Sequence, residues 1–261
     1  MDPSLWVAKT GLDAQQKSMQ VTSNNLANVN TNGFKKDRAN FEDLFYQTVR
    51  QPGARTSQDS RSPSGLMLGT GSRVVGTEKL HTQGNVKQSE RSLDVAIEGK
   101  GFFQVLRPDG EVGYTRDGAF QLNENGEVVT SSGYRLEPAI QVPEEAEEIT
   151  IGKDGTVSAK MPGEAEPEEL GQIELADFIN PSGLEPAGEN LFMETASSGA
   201  PEVGAPGEGA LGNVKQGAVE TSNVNIAEEL VNMIENQRGF ETNTRAISTT
   251  DEMLQYLNQN V

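Results

Sequence analysis

Ile226, Met233, Phe240, Ile247, Leu254 and Val261 stand seven residues apart at the end of the chain, with no proline among them. An unbroken apolar column at that spacing predicts a long helix that buries a narrow seam against another helix. Asn225 stands where an N-cap belongs, and Glu228 three residues later suits the return bond of a capping box. The expected companion column is poor: Leu230 is apolar, but Gln237, Thr244, Asp251 and Asn258 are polar. A helix with one good column is weak alone and takes its stability from partners.

The start of the chain repeats the pattern. Leu5, Leu12, Met19 and Leu26 again fall at intervals of seven, Ser4 can cap, and no proline occurs between Pro3 and Pro52. The economical solution pairs the two terminal helices and leaves their mixed faces for further copies of the chain. A hairpin that stops at this one pairing is the alternative. The first helix runs down through Asn24–Gly33, where Asn28 and its neighbouring asparagines favour a turn or bond across an interface, and Gly33 offers a left-handed stop. Single-column seams bury too little area to offset the entropy of ordering, so both helices are expected to order on assembly.

Between the ends the period changes to two. The runs Leu93–Ile97, Phe102–Leu106, Gly113–Thr115, Ala119–Leu122, Val128–Thr130 and Tyr134–Leu136 alternate with Asp117-Gly118, Asn125-Gly126, Ser132-Gly133 and similar turn pairs. These predict antiparallel strands joined by tight hairpins. A short strand at Ile149–Val157 is flanked by the acidic clusters Glu144–Glu148 and Glu164–Glu169, and the Gly/Pro/Ser-rich passage from Glu194 to Gly212 reads as loops. Upstream, Gln51-Pro52-Gly53 breaks the chain after Tyr46. Leu66, Met67, Leu68, Val74 and Val75 are too apolar for a linker, so this stretch reads as an extended arm or hairpin ordered against a neighbour.

The expected fold is mixed α and β: discontinuous terminal helices form a coiled-coil-like domain, with an inserted, mainly antiparallel β domain and an extended arm. The expected division is 1–33 and 221–261 for the helical domain, 34–90 for the connecting segment and arm, and 91–220 for the β-rich outer domain. Hydrophobic content of 34% and aromatic content of 5% suit thin layers more than one deep core.

Charge and composition narrow the function. The chain carries −18, and residues 91–220 hold eight Lys/Arg against twenty-five Asp/Glu. That distribution argues against nucleic acid or an anionic membrane as partner, and its simplest role is solubility. Cysteine is absent, so neither disulfides nor thiolate chemistry is available. No apolar run is long enough to span a bilayer, and the first residues lack the features of a cleaved secretory signal. His81 is the single histidine, with nothing placing a nucleophile beside it. Zinc would need more His or Cys ligands, and the carboxylates cluster in turns where their pKa values would not be raised. No enzyme, cofactor or metal site is expected.

The residues from Ser23-Asn24-Asn25-Leu26-Ala27-Asn28-Val29-Asn30-Thr31-Asn32-Gly33-Phe34-Lys35 closely resemble the N-terminal motif of the bacterial flagellar rod and hook proteins. Glu220–Leu230 through Asp251–Leu254 resemble the C-terminal motif of that family, and Asp94–Phe103 with Tyr114–Gly118 resemble its central β domain. Three motifs in the right order cover both ends and about half of the middle. Ser4–Gly11 and Tyr46–Ala54 look like the distal rod member, with a proximal rod or hook-type subunit as the alternative. A secreted β-rich adhesin would explain the acidic middle but not the paired heptads, and a cell-wall hydrolase would explain the carboxylates but should act on purified peptidoglycan.

The resemblance implies a structural subunit that leaves the cell through the flagellar export apparatus and polymerises helically into a rigid hollow shaft across the periplasm. Implied partners are further copies of the chain, proximal rod proteins, the hook protein, the P-ring and L-ring proteins, and a rod-cap protein during assembly. Interface residues on the terminal helices would be Leu5, Leu12, Met19, Leu26, Asn28, Ile226, Leu230, Met233, Phe240, Ile247 and Leu254. The arm, with Tyr46, Gln51, Pro52, Gly53 and Leu66, would stiffen the shaft.

Overall fold

The computed structural model describes residues 3–53, 63–163 and 167–259. Val261 of the heptad column, the arm residues 54–62, and residues 164–166 of the second acidic cluster lie outside the described residues. The chain divides into two compact units. One holds Met1–Ala27, Asp37–Glu78 and Asn225–Val261; the other holds Asn28–Lys36 and Lys79–Val224.

In the first unit, α1 (Pro3–Ala27) is followed by β1 (Asp37–Asp43), β2 (Tyr46–Arg50), β3 (Leu66–Gly69) and β4 (Ser72–Lys79). β2 pairs with β3 antiparallel, from Tyr46 opposite Gly69 to Arg50 opposite Leu66, and β1 pairs with β4. The unit closes with the last helix, Ile226–Gln259, here α2. Its start is capped by Asn225, whose Oδ1 accepts the Ala227 amide at 3.0 Å. Glu228 and Glu229 in the first turn complement the helix dipole. α1 begins one residue before Ser4, so Ser4 lies inside its first turn, with Pro3 at the opening position that suits its fixed φ. α1 ends at Ala27, earlier than the expected stop at Gly33. Gly33 instead serves a separate turn at φ +67°, where an added Cβ would strike the Arg116 and Asp117 backbone.

The second unit is antiparallel β. Its first seven strands are β5 (Val86–Gln88), β6 (Val95–Glu98), β7 (Phe102–Leu106), β8 (Val112–Thr115), β9 (Gln121–Leu122), β10 (Val128–Val129) and β11 (Arg135–Glu137). A three-stranded sheet follows: β12 (Glu148–Ile151), β13 (Thr156–Lys160) and β14 (Glu168–Gln172). The single strand expected at Ile149–Val157 is therefore a hairpin, because Asp154-Gly155 folds it back at Gly155 φ +82°. Next come β15 (Leu175–Asp177), β16 (Glu185–Gly188), β17 (Leu191–Met193) and β18 (Glu202–Gly204), the last a strand within the passage expected to be loops. β19 (Asn213–Gln216) pairs with β6, and β20 (Ala218–Glu220) pairs with β5.

The main sheet runs β16-β17-β8-β7-β11-β10-β9, with β15 joining β7 to β18. Two apolar clusters fill the unit. The larger gathers Val95, Ile97, Phe103, Phe120, Leu136, Ile140, Ile173, Leu175 and Val214. The smaller packs Phe102, Tyr114, Phe178 and Phe192 edge to face. The runs read from the period-two pattern supply part of this core, including Val95, Ile97, Phe102, Phe103, Phe120 and Leu136, and the later part of the unit supplies Ile173, Leu175, Phe192 and Val214.

Candidate functional site

α1 and α2 run antiparallel. A Cβ at Gly11 would meet Asn243 at 2.9 Å, a Cβ at Gly239 would meet Gln15 at 3.0 Å, and Asn25 bonds Glu229. Position rises along α1 as it falls by the same interval along α2. The seam of this pair is small and polar. Ala14, Thr22 and Asn25 are buried on α1, with Gly11, Gln15 and Ser18 half-buried; on α2 Glu229 is buried, with Asn236, Gly239, Asn243 and Thr250 half-buried. The companion column expected at Leu230, Gln237, Thr244 and Asp251 is exposed. A seam alternates steps of three and four, and burial places the second column three residues on from Met233, at Asn236 and Asn243, not four on at Gln237 and Thr244.

One amide ties the seam together. Asn25 Nδ2 donates to the Asp37 carbonyl at 2.9 Å and to Glu229 Oε2 at 3.4 Å, while its Oδ1 accepts the Asp37 amide at 2.8 Å. The asparagine is buried and its donors and acceptor are used, as a buried polar group requires.

The apolar columns are left short of cover. Leu5, Leu12, Met19, Leu26, Met233, Ile247 and Leu254 are half-buried; Ile226, Leu230 and Phe240 are exposed. Trp6, Val7, Val231, Ile234 and Met253 are exposed beside them. Asn28 lies one residue past the end of α1, where its carbonyl accepts the Thr31 amide. The helix pair therefore places small and polar side chains at its closest approach and leaves its apolar columns half-buried or exposed.

The arm shows the same economy. β1 and β4 run on into the β2–β3 hairpin as one two-stranded ribbon, held by Leu44 N–H to the Gly71 carbonyl at 2.8 Å and by the cross-strand ion pairs Arg38–Glu78 and Arg73–Glu42. At its base Gly71, φ +116°, lets the backbone meet α1 so closely that a Cβ would overlap Thr10 Oγ1. Every residue of β2 and β3 is exposed, including Tyr46, Val49, Leu66, Met67 and Leu68, and Phe45 is 93% exposed. Gln51, Pro52 and Gly53 follow β2, also exposed. Tyr46 and Leu66 sit at opposite ends of the hairpin register. An isolated two-stranded ribbon is marginal in water, and its apolar side chains need a further surface.

His81 lies in the β-rich unit, edge-on to Phe102 and Phe192 at 5.6 and 5.4 Å, with neither ring nitrogen hydrogen-bonded. Burial, then the cations of Lys35, Arg116 and Lys79, push its pKa down to about 4. It packs as a neutral aromatic ring. Among the described residues no group of three or more His, Asp or Glu is placed to hold a metal. No helix among them is long and apolar enough to cross a membrane.

Three family models match in chain order: "Flagella basal body rod protein" over residues 5–35, "Flagellar hook protein FlgE/F/G D1 domain" over 96–159, and "Flagellar basal body rod FlgEFG protein C-terminal" over 215–260. The flagellar basal-body rod protein FlgG of Buchnera aphidicola subsp. Acyrthosiphon pisum is 56% identical, covering 99% of this chain and 100% of the relative. The chain belongs to the FlgG family of flagellar basal-body rod proteins. FlgG of Borreliella burgdorferi is 48% identical over 96% of both chains, and FlgG of Bacillus subtilis 37% over 97% of both. As a FlgG-family chain it is a structural component of the flagellar rod and not an enzyme.

Gly11, Ala14, Glu229 and Gly239 are not among the expected interface residues, whereas Asn25 stands in the asparagine run expected to turn or to bond across an interface. Small and polar residues recurring three and four apart were the readable signal; a search for apolar columns alone passes over them.

Proposed function

We propose that the chain is the repeating subunit of the flagellar distal rod, polymerising helically into a hollow, stiff shaft that carries motor torque to the hook and conducts exported subunits. The observation that carries this reading is the outward display of large apolar side chains by a helix pair whose own seam is polar. Leu5, Leu12, Met19, Leu26, Ile226, Leu230, Met233, Phe240, Ile247 and Leu254 then become contacts between copies, with Asn28 at the turn below α1. Each contact joins two different surfaces, so the assembly extends as an open helix. The exposed ribbon, from Tyr46 through Gln51, Pro52 and Gly53 to Leu66, wedges between neighbours and resists bending.

In this reading the shaft spans the periplasm. It meets proximal rod proteins and the hook protein at its ends and the P-ring and L-ring proteins around it, with the export apparatus and a rod-cap protein engaged during assembly. The acidic outer unit faces the rings. The division into terminal helical domain (1–33 and 221–261), connecting arm (34–90) and outer β domain (91–220) describes the roles: inner tube, stiffener and outer layer.

Electron microscopy of the concentrated protein tests the reading. The full chain is expected to form straight tubes, and a chain ending at Val224 none. A chain lacking Gln51–Gly65 is expected to form tubes that bend. Tubes from the chain without α2 would overturn the assembly role, and tubes as straight without residues 51–65 would overturn the arm's.

A further inference from the structure

The β-rich unit is closed at one place by three buried charges drawn from distant parts of the chain. Lys35 and Glu220 are fully buried, 185 residues apart, with Nζ to Oε1 at 2.5 Å; Arg116 Nη1 reaches Glu220 Oε2 at 3.3 Å. Each cation also donates to a carbonyl, Lys35 Nζ to Thr82 at 2.8 Å and Arg116 Nη2 to Gly99 at 2.6 Å, while Arg116 Nε is buried without a partner. Glu220 Oε1 also accepts the Gly84 amide at 2.7 Å, and the Glu220 carbonyl accepts the Gly33 amide at 2.8 Å. Asn223 adds a second clasp, accepting the Lys36 amide and donating to the Leu80 and Thr82 carbonyls. Two cations share one carboxylate, and that carboxylate is the last of the three in the chain.

We infer that the Lys35–Glu220–Arg116 cluster is a latch that keeps the β-rich unit from closing until the segment just before α2 joins it. Without Glu220, the same closure would bury Lys35 with no counter-charge and leave Arg116 with Asp177 alone, a state folded proteins avoid. The pieces arriving with Glu220 are also core: β19 and β20 pair with β6 and β5, and Val214, Ala218 and Val219 are buried. A contact spanning 185 residues closes late on entropic grounds as well. A chain delivered N-terminus first, from a ribosome or through an export channel, thus stays unclosed until only the residues beyond 220 remain. This rests on the geometry of the β-rich unit and is independent of the polymer reading.

The test uses the full chain in refolding from urea. Pulse-labelled hydrogen exchange of the unaltered protein should show the segments around Gly33, Gly84 and Glu220 gaining protection after β7 and β8. In K35M, which leaves Arg116 and Glu220 as a neutral pair, and in E220Q, unfolding of the unit should accelerate about tenfold or more with refolding held within about twofold, the pattern of a contact made after the transition state. Protection around Gly33, Gly84 and Glu220 appearing with or before β7 and β8 would overturn the latch. So would a refolding rate that falls in proportion to stability in either variant. If E220Q does not fold, K35M and the labelling of the unaltered chain decide the question.

Discussion

Asn25 holds three chain segments with one amide: α1, which carries it, the first residue of β1, and α2 through Glu229. Its place in an asparagine-rich helix end is plain in the sequence, but its burial is not, because the partner Glu229 lies 204 residues away. His81 teaches the same lesson from the other side. The sequence could say that it lacks a catalytic partner; only the fold makes it a ring among Phe102, Phe192 and three cations. Its lowered pKa has a consequence with a definite sign. The unfolded chain binds a proton near pH 6.5 and the folded chain near pH 4, so this contribution is fully present above about 6.5 and is lost as pH falls toward 4. The loss amounts to at most about 3 kcal/mol. Urea unfolding of the β-rich unit at pH 7 and pH 4.5 should show that loss in the unaltered chain and a smaller one in His81→Leu. An equal loss in both would place the acid sensitivity elsewhere.

At the level of elements, the helices and their pairing were legible in the sequence, and the faces that meet were not. The heptads announced α1 and α2, yet the two helices come closest at Gly11, Ala14, Asn25, Glu229 and Gly239, none of which belongs to the apolar columns. Close approach at glycines permits a small seam, and a small seam leaves Leu230 and Ile234 outside, 44% and 49% exposed. Changing both to Asp should therefore leave the isolated chain's unfolding within about 0.5 kcal/mol, as at surface sites in general, while abolishing tubes in sedimentation and micrographs. A large drop in chain stability would mean that this face is covered within the chain. The β ribbon follows the same logic. Its strands were expected as an arm from their apolar content, but the continuous pairing from β1–β4 into β2–β3 depends on cross-strand partners such as Arg38–Glu78 that no local pattern marks.

At the scale of the molecule the two units differ in kind. The β-rich unit holds two apolar clusters with Phe103, Leu136 and Leu175 fully buried, whereas the described residues of the helical unit that are buried are Ala14, Thr22, Asn25 and Glu229. Stability should be distributed accordingly. Native-state hydrogen exchange of the unassembled chain should show α1, α2 and the ribbon exchanging at least about tenfold faster than β7 and β8, and slowing on assembly. Protection in α1 and α2 equal to that of β7 and β8 before assembly would refute ordering on assembly. The amino-acid sequence by itself determined what is periodic and local: two long terminal helices, the strand runs and turns between them, the acid charge of the middle, and motifs specific enough to name the family. The tertiary structure alone decided which helix faces meet, that Lys35, Arg116 and Glu220 share one buried site, and which apolar residues remain uncovered. Those features are pairings across more than two hundred residues, fixed by burial and close packing, and a periodic pattern carries no information about which distant partner will satisfy it.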